Sequence, residues 1–348
     1  MSWLESFRQG TTETIPEAAI RRPDQKRVPC TADELGLPVQ MDNSSSLVSV
    51  ILPTYDDAQF LPAALESVGG QTYSNIELII VDSTGVPWVE TLADDRDWIR
   101  YTYTEPRGLA TARNDGIEHA SGEYIALLDA DDYWHPEKIE RQVELADEQT
   151  PFVYTGFYRV TFDGDGGQTV ECWGMESPST QPHLDVVYNR ILAFPSTLLF
   201  RRDVVSGRPF EETLDAWEDA YFLVESFMEF APAHIAEPLV VYRNRLDSMS
   251  ADQKRMCENE LRGLELLSTR YPELERELIR ARADTELRLG VCYLKENEPR
   301  TARTHLERSI RLFPFDVRAY GLYVASLLPV DSRWTITRLR TAHSTVFE

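Results

Sequence analysis

Residues 121–134, Ser-Gly-Glu-Tyr-Ile-Ala-Leu-Leu-Asp-Ala-Asp-Asp-Tyr-Trp, carry the pattern that most strongly indicates the fold of this chain. The apolar run at 124–128 is short and follows a glycine, which predicts a buried strand. Three carboxylates, Asp129, Asp131 and Asp132, come directly after it. Because ligands of open α/β sheets bind beyond the carboxyl ends of the strands, these side chains are candidates for a binding site. Their oxygens suit a hard divalent cation that keeps a substrate phosphate as a further ligand, although a polar turn after a strand has the same pattern.

Predicted strands and helices alternate on the amino-terminal side of this stretch. Apolar runs at 47–53, 76–81 and 98–103 predict buried strands. Residues 60–68 predict a helix after the first of these strands, and residues 109–119 predict one before the strand at 124–128. This alternation predicts a mostly parallel sheet with helices on both faces, joined by right-handed crossovers. The first strand is followed neither by Gly-x-Gly-x-x-Gly nor by Gly-x-x-x-x-Gly-Lys, which counts against a dinucleotide-dependent dehydrogenase and excludes a P-loop.

The carboxyl-terminal side of the stretch is predicted to add further elements. We expect a helix at 136–145, short strands within 151–175, a loop at 176–190, a strand at 196–200, a helix beginning at Trp217-Glu218-Asp219, and a strand at 235–242. The Ser, Pro and His content of 176–190 makes it a candidate acceptor-facing loop.

The character of the chain changes near residue 251, so we predict three regions. Residues 1–46 are expected to form a loosely docked or disordered polar leader, 47–250 the α/β domain, and 251–348 a helical region. The helical region has no convincing second repeat, so it is either a cap on the α/β domain or a protein-binding arm. One tetratricopeptide-like hairpin is indicated by the spacing of Leu289, Gly290, Tyr293, Ala302, Leu306, Ser309 and Pro314, with Glu286 at the usual tryptophan position.

The charge of the chain limits its partners. Acidic residues outnumber basic ones by 58 to 35, and the net charge of -23 argues against nucleic acid, which requires Lys/Arg patches. Lysine occurs at four positions, and the other 31 basic residues are arginines. A carboxylate-rich, lysine-poor surface resembles the proteins of salt-loving archaea, although an ordinary acidic cytoplasmic protein has the same overall charge.

The sequence has no pattern typical of a membrane span, a signal peptide or a cysteine-based metal or redox site. No apolar run approaches the ~18 residues of a membrane span, and the N-terminus has no signal-peptide pattern. We therefore predict a cytoplasmic protein, with peripheral contact at the membrane face left open because Trp3, Leu4 and Phe7 could form a small amphipathic turn. The four cysteines have neither zinc nor redox spacing.

Several motifs, in one order between about 47 and 250, resemble family 2 glycosyltransferases. They are Pro53-Thr54-Tyr55-Asp56-Asp57, Glu77-Leu78-Ile79-Ile80-Val81-Asp82, the run from Gly108 to Ile117, and the run from Gly122 to Trp134. The resemblance implies a GT-A fold and an inverting, metal-dependent enzyme. Such an enzyme moves one sugar from a nucleotide-diphospho-sugar to an acceptor hydroxyl, in assembly of a glycolipid, a glycoprotein or a surface polysaccharide. The Gln-x-x-Arg-Trp signature of processive synthases is absent, which favours one sugar per encounter.

The resemblance also implies roles for individual residues. Asp131 would be the direct ligand of Mn²⁺ or Mg²⁺, and Asp132 would support it. Asp219 would be the general base that takes the proton of the acceptor hydroxyl, and Glu218 would orient the site. The nucleotide-sugar would be bound by Thr54, Tyr55, Asp82, Arg113, Asp129 and Arg245.

Other interpretations remain at this point. Arg245 stands where the family often has a histidine, and Ser83 where it usually has a second acid. Packing is an alternative role for Tyr55, and a plain helix start is one for Asp219. A catalytically inactive relative could act as an interaction protein through its helices. A nucleotidyltransferase is disfavoured because residues 53–60 contain neither a glycine nor a basic residue.

Overall fold

The computed structural model describes residues 46–55, 60–86, 89–91, 97–162, 168–174, 176–205, 207–245 and 251–327. Among these, the residues within Met1–Glu212 and Phe222–Leu246 form one compact unit. Those within Thr213–Tyr221 and Asp247–Glu348 form the other. The predicted leader, Asp56, Asp57 and the segment 248–250 lie outside the described residues.

A mixed sheet organises the first unit. Its described strands run in the order β3-β2-β1-β4-β8-β6-β9-β5, with β7 beside β6. The strands β1 to β4 pair in parallel, and β8 pairs antiparallel with both β4 and β6. Their bounds are β1 Val48–Thr54, β2 Ile76–Asp82, β3 Ile99–Tyr103, β4 Tyr124–Leu127, β5 Tyr133–Trp134, β6 Phe152–Phe162, β7 Gln168–Trp173, β8 Leu198–Arg201 and β9 Ala233–Asn244.

Helices cover both faces of the parallel strands, as predicted. On one face Val50 and Leu52 of β1 pack in the same apolar cluster as helix α1 (Leu61–Gly69). On the other face Ile51 meets helix α2 (Leu109–His119) at Gly116, where an added Cβ would lie 2.3 Å from the Ile51 side chain. The strand β1 is buried along its whole length because it lies between the two layers. This arrangement confirms the predicted α/β class.

Further helices in this part of the chain are α3 (Lys138–Leu145), α4 (Pro182–Val187) and α5 (Glu218–Glu229). The helix α4 lies within 176–190, where we predicted a loop. Proline at the start of α4 suits the first helical turn, and the buried Asp185 accepts the backbone N–H of Ser179. The segment is polar overall, so the sequence analysis did not recognise that three of its apolar residues are buried in a helix, namely Leu184, Val186 and Val187. The prediction of short strands within 151–175 was also inaccurate, because β6 is long and pairs antiparallel with β7.

The described part of the second unit is helical, with α6 (Gln253–Arg270), α7 (Glu275–Lys295), α8 (Pro299–Leu312) and α9 (Val317–Leu327). The predicted hairpin is formed by α7 and α8, where an added Cβ at Gly290 would lie 2.8 Å from Leu306. Glu286, at the expected tryptophan position, binds the ring of His305 at 2.6 Å. Within the described ranges, none of the helices combines the length and apolar character needed to cross a membrane.

Candidate active site

The carboxyl ends of the parallel strands bring several predicted residues to one edge of the sheet. The register places Thr54 of β1 opposite Asp82 of β2, which in turn lies opposite Tyr103 of β3. The neighbouring strand β4 ends at Leu127, two residues before Asp129. Tyr55 follows β1 and is 56% exposed, so its ring is open to a ligand rather than packed in the core. The structure therefore places Thr54, Asp82 and the carboxylate cluster at the edge that the sequence predicted.

Asp82 is completely buried, and donors of the chain bind both of its oxygens. Its Oδ1 accepts the backbone N–H of Thr84 at 2.8 Å, and its Oδ2 accepts the hydroxyl of Tyr101 at 2.9 Å. Burial, followed by the bond to Asp82, raises the pKa of Tyr101 to about 12. Asp82 thus holds the turn after β2 in place, in which Gly85 has a φ of 64° that favours glycine. No pattern in the sequence points to Tyr101, because its contact with Asp82 depends on the pairing of β2 with β3.

The buried Arg113 forms an ion pair with Asp129, whose side chain is partly exposed. Its guanidinium donates to Asp129 Oδ1 at 2.8 Å, and its side chain is 2% exposed, so the pair is not the surface contact that an exposed helix would make. The guanidinium also lies 5.6 Å from the centre of the Phe210 ring. Asn114, the next residue of α2, holds Phe210 by hydrogen bonds to both its backbone N–H and its carbonyl. Arg113 is therefore held between a carboxylate and an aromatic ring.

Arg245 forms the second arginine–carboxylate pair at this edge. Its Nε lies 3.1 Å from Asp131 Oδ2, and the two side chains are 14% and 15% exposed. The ring of Phe60 lies beneath two guanidinium groups, with its centre 4.7 Å from that of Arg245 and 5.3 Å from that of Arg243. Arg245 thus forms an ion pair with the carboxylate that the family resemblance assigns to the metal ion.

Asp132 completes the cluster from a buried position. Its Oδ1 accepts the backbone N–H of Arg243 at 3.2 Å, whereas its buried Oδ2 has no hydrogen-bond partner among the described residues. Burial, and then the charges of Asp131 and Asp129, raise the pKa of Asp132 well above its usual range. Ser196 supports the turn by accepting the backbone N–H of Asp129 through its hydroxyl and the indole N–H of Trp134 through its carbonyl.

This donor set suits an ion that shares its ligands with a substrate. In the described ranges no group of three or more His, Cys, Asp or Glu residues is arranged as a complete metal site. Mg²⁺, however, commonly uses one or two carboxylates together with phosphate oxygens and water. Three clustered carboxylates, one with an unsatisfied buried oxygen, are favourable for an added cation. Asp131 and Asp129 therefore fit such an ion.

Glu218 and Asp219 belong to the second compact unit, whereas the other predicted site residues belong to the first. They follow Trp217, whose φ of 66° is uncommon for a bulky residue. Trp217 packs against Gly263 of α6, where an added Cβ would lie 2.4 Å from the indole ring. Glu218 is buried, and Asp219 Oδ1 accepts the N–H of Ala220 at 2.7 Å. A strained backbone at a predicted catalytic pair is a common sign of a functional position.

Comparison with known proteins places the chain among glycosyltransferases. Residues 49–207 match the model of "Glycosyl transferase family 2". EpsH of Bacillus subtilis, which is named as a glycosyltransferase, is 27% identical over 281 residues, which cover 75% of this chain and 80% of EpsH. WfaP of Escherichia coli, named UDP-Glc:alpha-D-GlcNAc-diphosphoundecaprenol beta-1,3-glucosyltransferase, is 40% identical over 118 residues, which cover 32% of this chain and 46% of WfaP. The chain likewise spans less than half the length of three Rickettsia relatives.

Solved structures share the fold at low sequence identity. TarS 1-349 of S. aureus, in complex with UDP-GlcNAc, matches with a TM-score of 0.52 and 15% identity, over 84% of this chain and 92% of that chain. The mannosyltransferase PcManGT of Pyrobaculum calidifontis, in complex with GDP-Man and Mn2+, matches with a TM-score of 0.51 and 20% identity, over 90% of each chain. With the family match, the order of the strands and the carboxylates at their ends, these similarities confirm that residues 49–207 belong to glycosyltransferase family 2 and have the GT-A fold.

Proposed function

We propose that this protein transfers one sugar from a nucleotide-diphospho-sugar to an acceptor hydroxyl during polysaccharide or glycolipid assembly. The observation that carries the proposal is the edge of the sheet where Asp82 ends β2 and where the two aspartates that follow β4 pair with arginines, Asp129 with Arg113 and Asp131 with Arg245. An edge with both fixed carboxylates and fixed arginines suits a donor that has a base to position and a diphosphate to neutralise. TarS in complex with UDP-GlcNAc and PcManGT in complex with GDP-Man, which share the fold, support this donor class.

The donor would lie along this edge. Thr54, Tyr55 and the turn held by Asp82 would receive the nucleoside, because the Tyr55 ring is exposed there and Asp82 fixes the backbone. Arg113 and Asp129 would position the ribose and the first phosphate, and Arg245 would pair with the diphosphate. Asp131, with Asp129, would hold Mn²⁺ or Mg²⁺, and PcManGT with its Mn2+ supports that choice. A bound ion of this kind supplies Lewis-acid stabilisation of the charge on the departing diphosphate.

Asp219 would act on the acceptor. As the bond between the sugar carbon and the diphosphate breaks, the acceptor oxygen forms its bond from the opposite side, and Asp219 takes the proton of that hydroxyl. A single in-line displacement inverts the configuration of the sugar carbon. Glu218, buried beside it, would orient the acceptor or Asp219 itself. The strained Trp217 supports this assignment, since an ordinary helix start needs no left-handed residue.

The name of one relative supports an acceptor class. WfaP is named for an acceptor on diphosphoundecaprenol, so we propose a lipid-linked glycan ahead of a protein acceptor. The enzyme would then work in the cytoplasm or against the cytoplasmic membrane face. We assign catalysis to 47–250, with Asp219 included, and a supporting or partner-binding role to 251–348.

Thermal unfolding in the presence of sugar nucleotides tests the donor class. The protein would be screened with UDP- and GDP-sugars, each with and without Mn²⁺. A donor at 100 times its Kd should add about 2.7 kcal/mol to the free energy of unfolding. Release of nucleoside diphosphate from the stabilising donor would then establish turnover. Stabilisation by none of the donors would favour an inactive relative, and stabilisation by nucleoside triphosphates alone would favour a nucleotidyltransferase.

A further inference from the structure

The arginines of the two arginine–carboxylate pairs differ in how deeply they are buried. Arg113 is 2% exposed and comes from the middle of α2, where Asn114 and Phe210 hold it from the other side. Arg245 directly follows β9 and rests on the ring of Phe60. Its Nε donates to Asp131 Oδ2. The Arg245 side chain is 14% exposed, against 2% for Arg113, so Arg245 is the arginine that a ligand can more readily reach.

A guanidinium and a divalent cation cannot use the same carboxylate oxygen in the same way. Arg245 binds Asp131 Oδ2, the oxygen of the carboxylate proposed to hold the ion. A second positive charge brought to that carboxylate would be repelled by the guanidinium, at short range and largely out of solvent. A diphosphate changes this balance, because it offers oxygens to both cations: guanidinium groups bind phosphate well, and Mg²⁺ or Mn²⁺ bridges its oxygens.

We propose that Arg245 and the divalent cation are alternative partners of Asp131, and that the diphosphate of the donor releases Asp131 by taking Arg245. This inference rests on the proposed function, because it requires a diphosphate at the site. It makes ion binding conditional on donor binding: without a diphosphate the chain neutralises its own carboxylate, and with one the ion and Arg245 share the negative charge. Asp129 stays paired with Arg113 with and without a diphosphate, since the Arg113 side chain is buried and lies between Asp129 and the Phe210 ring.

Binding of Mn²⁺ without turnover tests the proposal. Bound Mn²⁺ would be measured by equilibrium dialysis and by the loss of the free-ion electron paramagnetic resonance signal, with and without UDP or GDP, and with nucleotide alone as reference. The wild-type protein should bind Mn²⁺ weakly by itself. A diphosphate that binds should tighten Mn²⁺ binding by about 10-fold or more, and by linkage Mn²⁺ should tighten nucleotide binding by the same factor.

Substitution of Arg245 separates competition from ordinary metal–nucleotide binding. Arg245→Gln removes the competing charge, so Mn²⁺ should bind the nucleotide-free variant about 10-fold more tightly than wild type, and the coupling factor should fall accordingly. Arg245→Lys keeps a positive charge and should bind nucleotide-free Mn²⁺ nearly as weakly as wild type. Arg100→Gln is the matched control, because it removes an arginine from the Arg100–Glu77 pair near the amino ends of β2 and β3, and it should leave Mn²⁺ binding unchanged.

Two outcomes would overturn the inference. One is nucleotide-free Mn²⁺ binding that is equal in wild type and Arg245→Gln, and the other is tighter binding in Arg245→Lys to the same extent as in Arg245→Gln. Unfolding temperatures of all variants would show whether each is folded. Failure of the proposed function has a different result: no variant would bind UDP or GDP with or without Mn²⁺, while the nucleotide-free comparison would still decide whether Arg245 competes with the ion.

Discussion

The carboxylates proposed to bind the donor and those proposed to act on the acceptor are held in different ways. Asp82 and Asp129 follow parallel strands, so the register of β1, β2 and β4 decides where they lie. Glu218 and Asp219 follow a left-handed Trp217, which is seated on Gly263 by close packing. The first arrangement uses the regular geometry of a sheet, and the second uses one strained residue and one glycine. We therefore expect positions of the first kind to tolerate local change better than those of the second kind, which depend on the close packing of Trp217 against Gly263.

The largest expected effect is that of Asp131→Asn. This change preserves the shape of the side chain but removes the charge that the ion requires, so turnover should be lost and Mn²⁺ should no longer strengthen donor binding. The unfolding temperature should stay near that of wild type, because Asp131 is at the rim of the cluster. Donor binding and turnover would be measured on the same preparation. Unimpaired turnover would remove the sheet edge from the mechanism.

Asp219→Asn should have the next largest effect. Asparagine starts a helix about as well as aspartate, but it cannot accept the proton. Single-turnover transfer should fall by about 10²-fold or more, as for a lost general base. Donor Kd should not change, because the nucleotide is assigned to the other compact unit. Loss of donor affinity with full transfer at saturating donor would mean that Asp219 acts on the donor side.

Gly263→Ala tests whether the packing of the strained Trp217 against Gly263 contributes to stability and to transfer. The added methyl group would lie 2.4 Å from the indole ring, so Trp217 must move. The free energy of unfolding should fall by about 1–3 kcal/mol, as in other overpacked sites. Transfer should fall by about 10-fold through displacement of the base, while donor Kd is retained.

Gly321→Ala is the control for this comparison. Gly321 lies in α9 of the same unit, and apart from the backbone of its own helix, none of the described residues has a heavy atom within 4 Å of an added Cβ there. Since alanine favours helices over glycine by up to about 1 kcal/mol, this variant should be unchanged or slightly more stable, with full transfer. Equal losses in both variants would contradict a specific role for the Trp217–Gly263 contact.

A smaller effect is expected for Tyr101→Phe at the sheet edge. It removes the hydroxyl that donates to Asp82 Oδ2 and leaves that buried oxygen without its donor. Nucleotide affinity should weaken by about 5-fold, corresponding to ~1 kcal/mol for one hydrogen bond. Tyr124→Phe is the control: it removes a buried hydroxyl bond to the Ala146 carbonyl at the amino end of β4 and should not change nucleotide affinity. A stability loss of both variants without a difference in nucleotide binding would make Tyr101 purely structural.

Salt should distinguish the enclosed site from the charged surface. With a net charge of -23, carboxylate repulsion is expected to destabilise the chain at low salt. At 1 M KCl the Debye length is about 3 Å, so the unfolding temperature should rise from low salt into the molar range. Donor Kd should change less with salt than the unfolding temperature does, if the ion pair of the buried Arg113 with Asp129 contributes to donor binding. An unfolding temperature that is flat or falls with KCl would contradict the salt-adapted interpretation.

Sequence analysis predicted the elements well where a pattern is local and periodic. The strands at 76–81 and 98–103 and the helix at 109–119 appear within one residue of their predicted bounds. The helix α4 was missed because it has six residues, too few to show a helical period among polar neighbours. Tyr101 and Ser196 were missed for another reason, because their contacts are distant in sequence. Ser196, for example, contacts the Asp129 backbone from 67 residues away, and no local pattern predicts such a contact.

Apolar runs and the residues that end them determined the α/β class, the order of the strands along the chain and the edge of the sheet where the carboxylates lie. They suffice because a parallel strand buried on both faces needs a continuous apolar run, and its polar end must reach the surface of the sheet. Only the tertiary structure decided which partner each carboxylate has: Arg113 for Asp129, Arg245 for Asp131 and Tyr101 for Asp82. These pairs join residues far apart in the chain, and their geometry depends on strand register, helix packing and the rings of Phe60 and Phe210. That is why the sequence could propose Asp131 as a metal ligand, whereas the pairing of Asp131 with Arg245 became visible only in the fold.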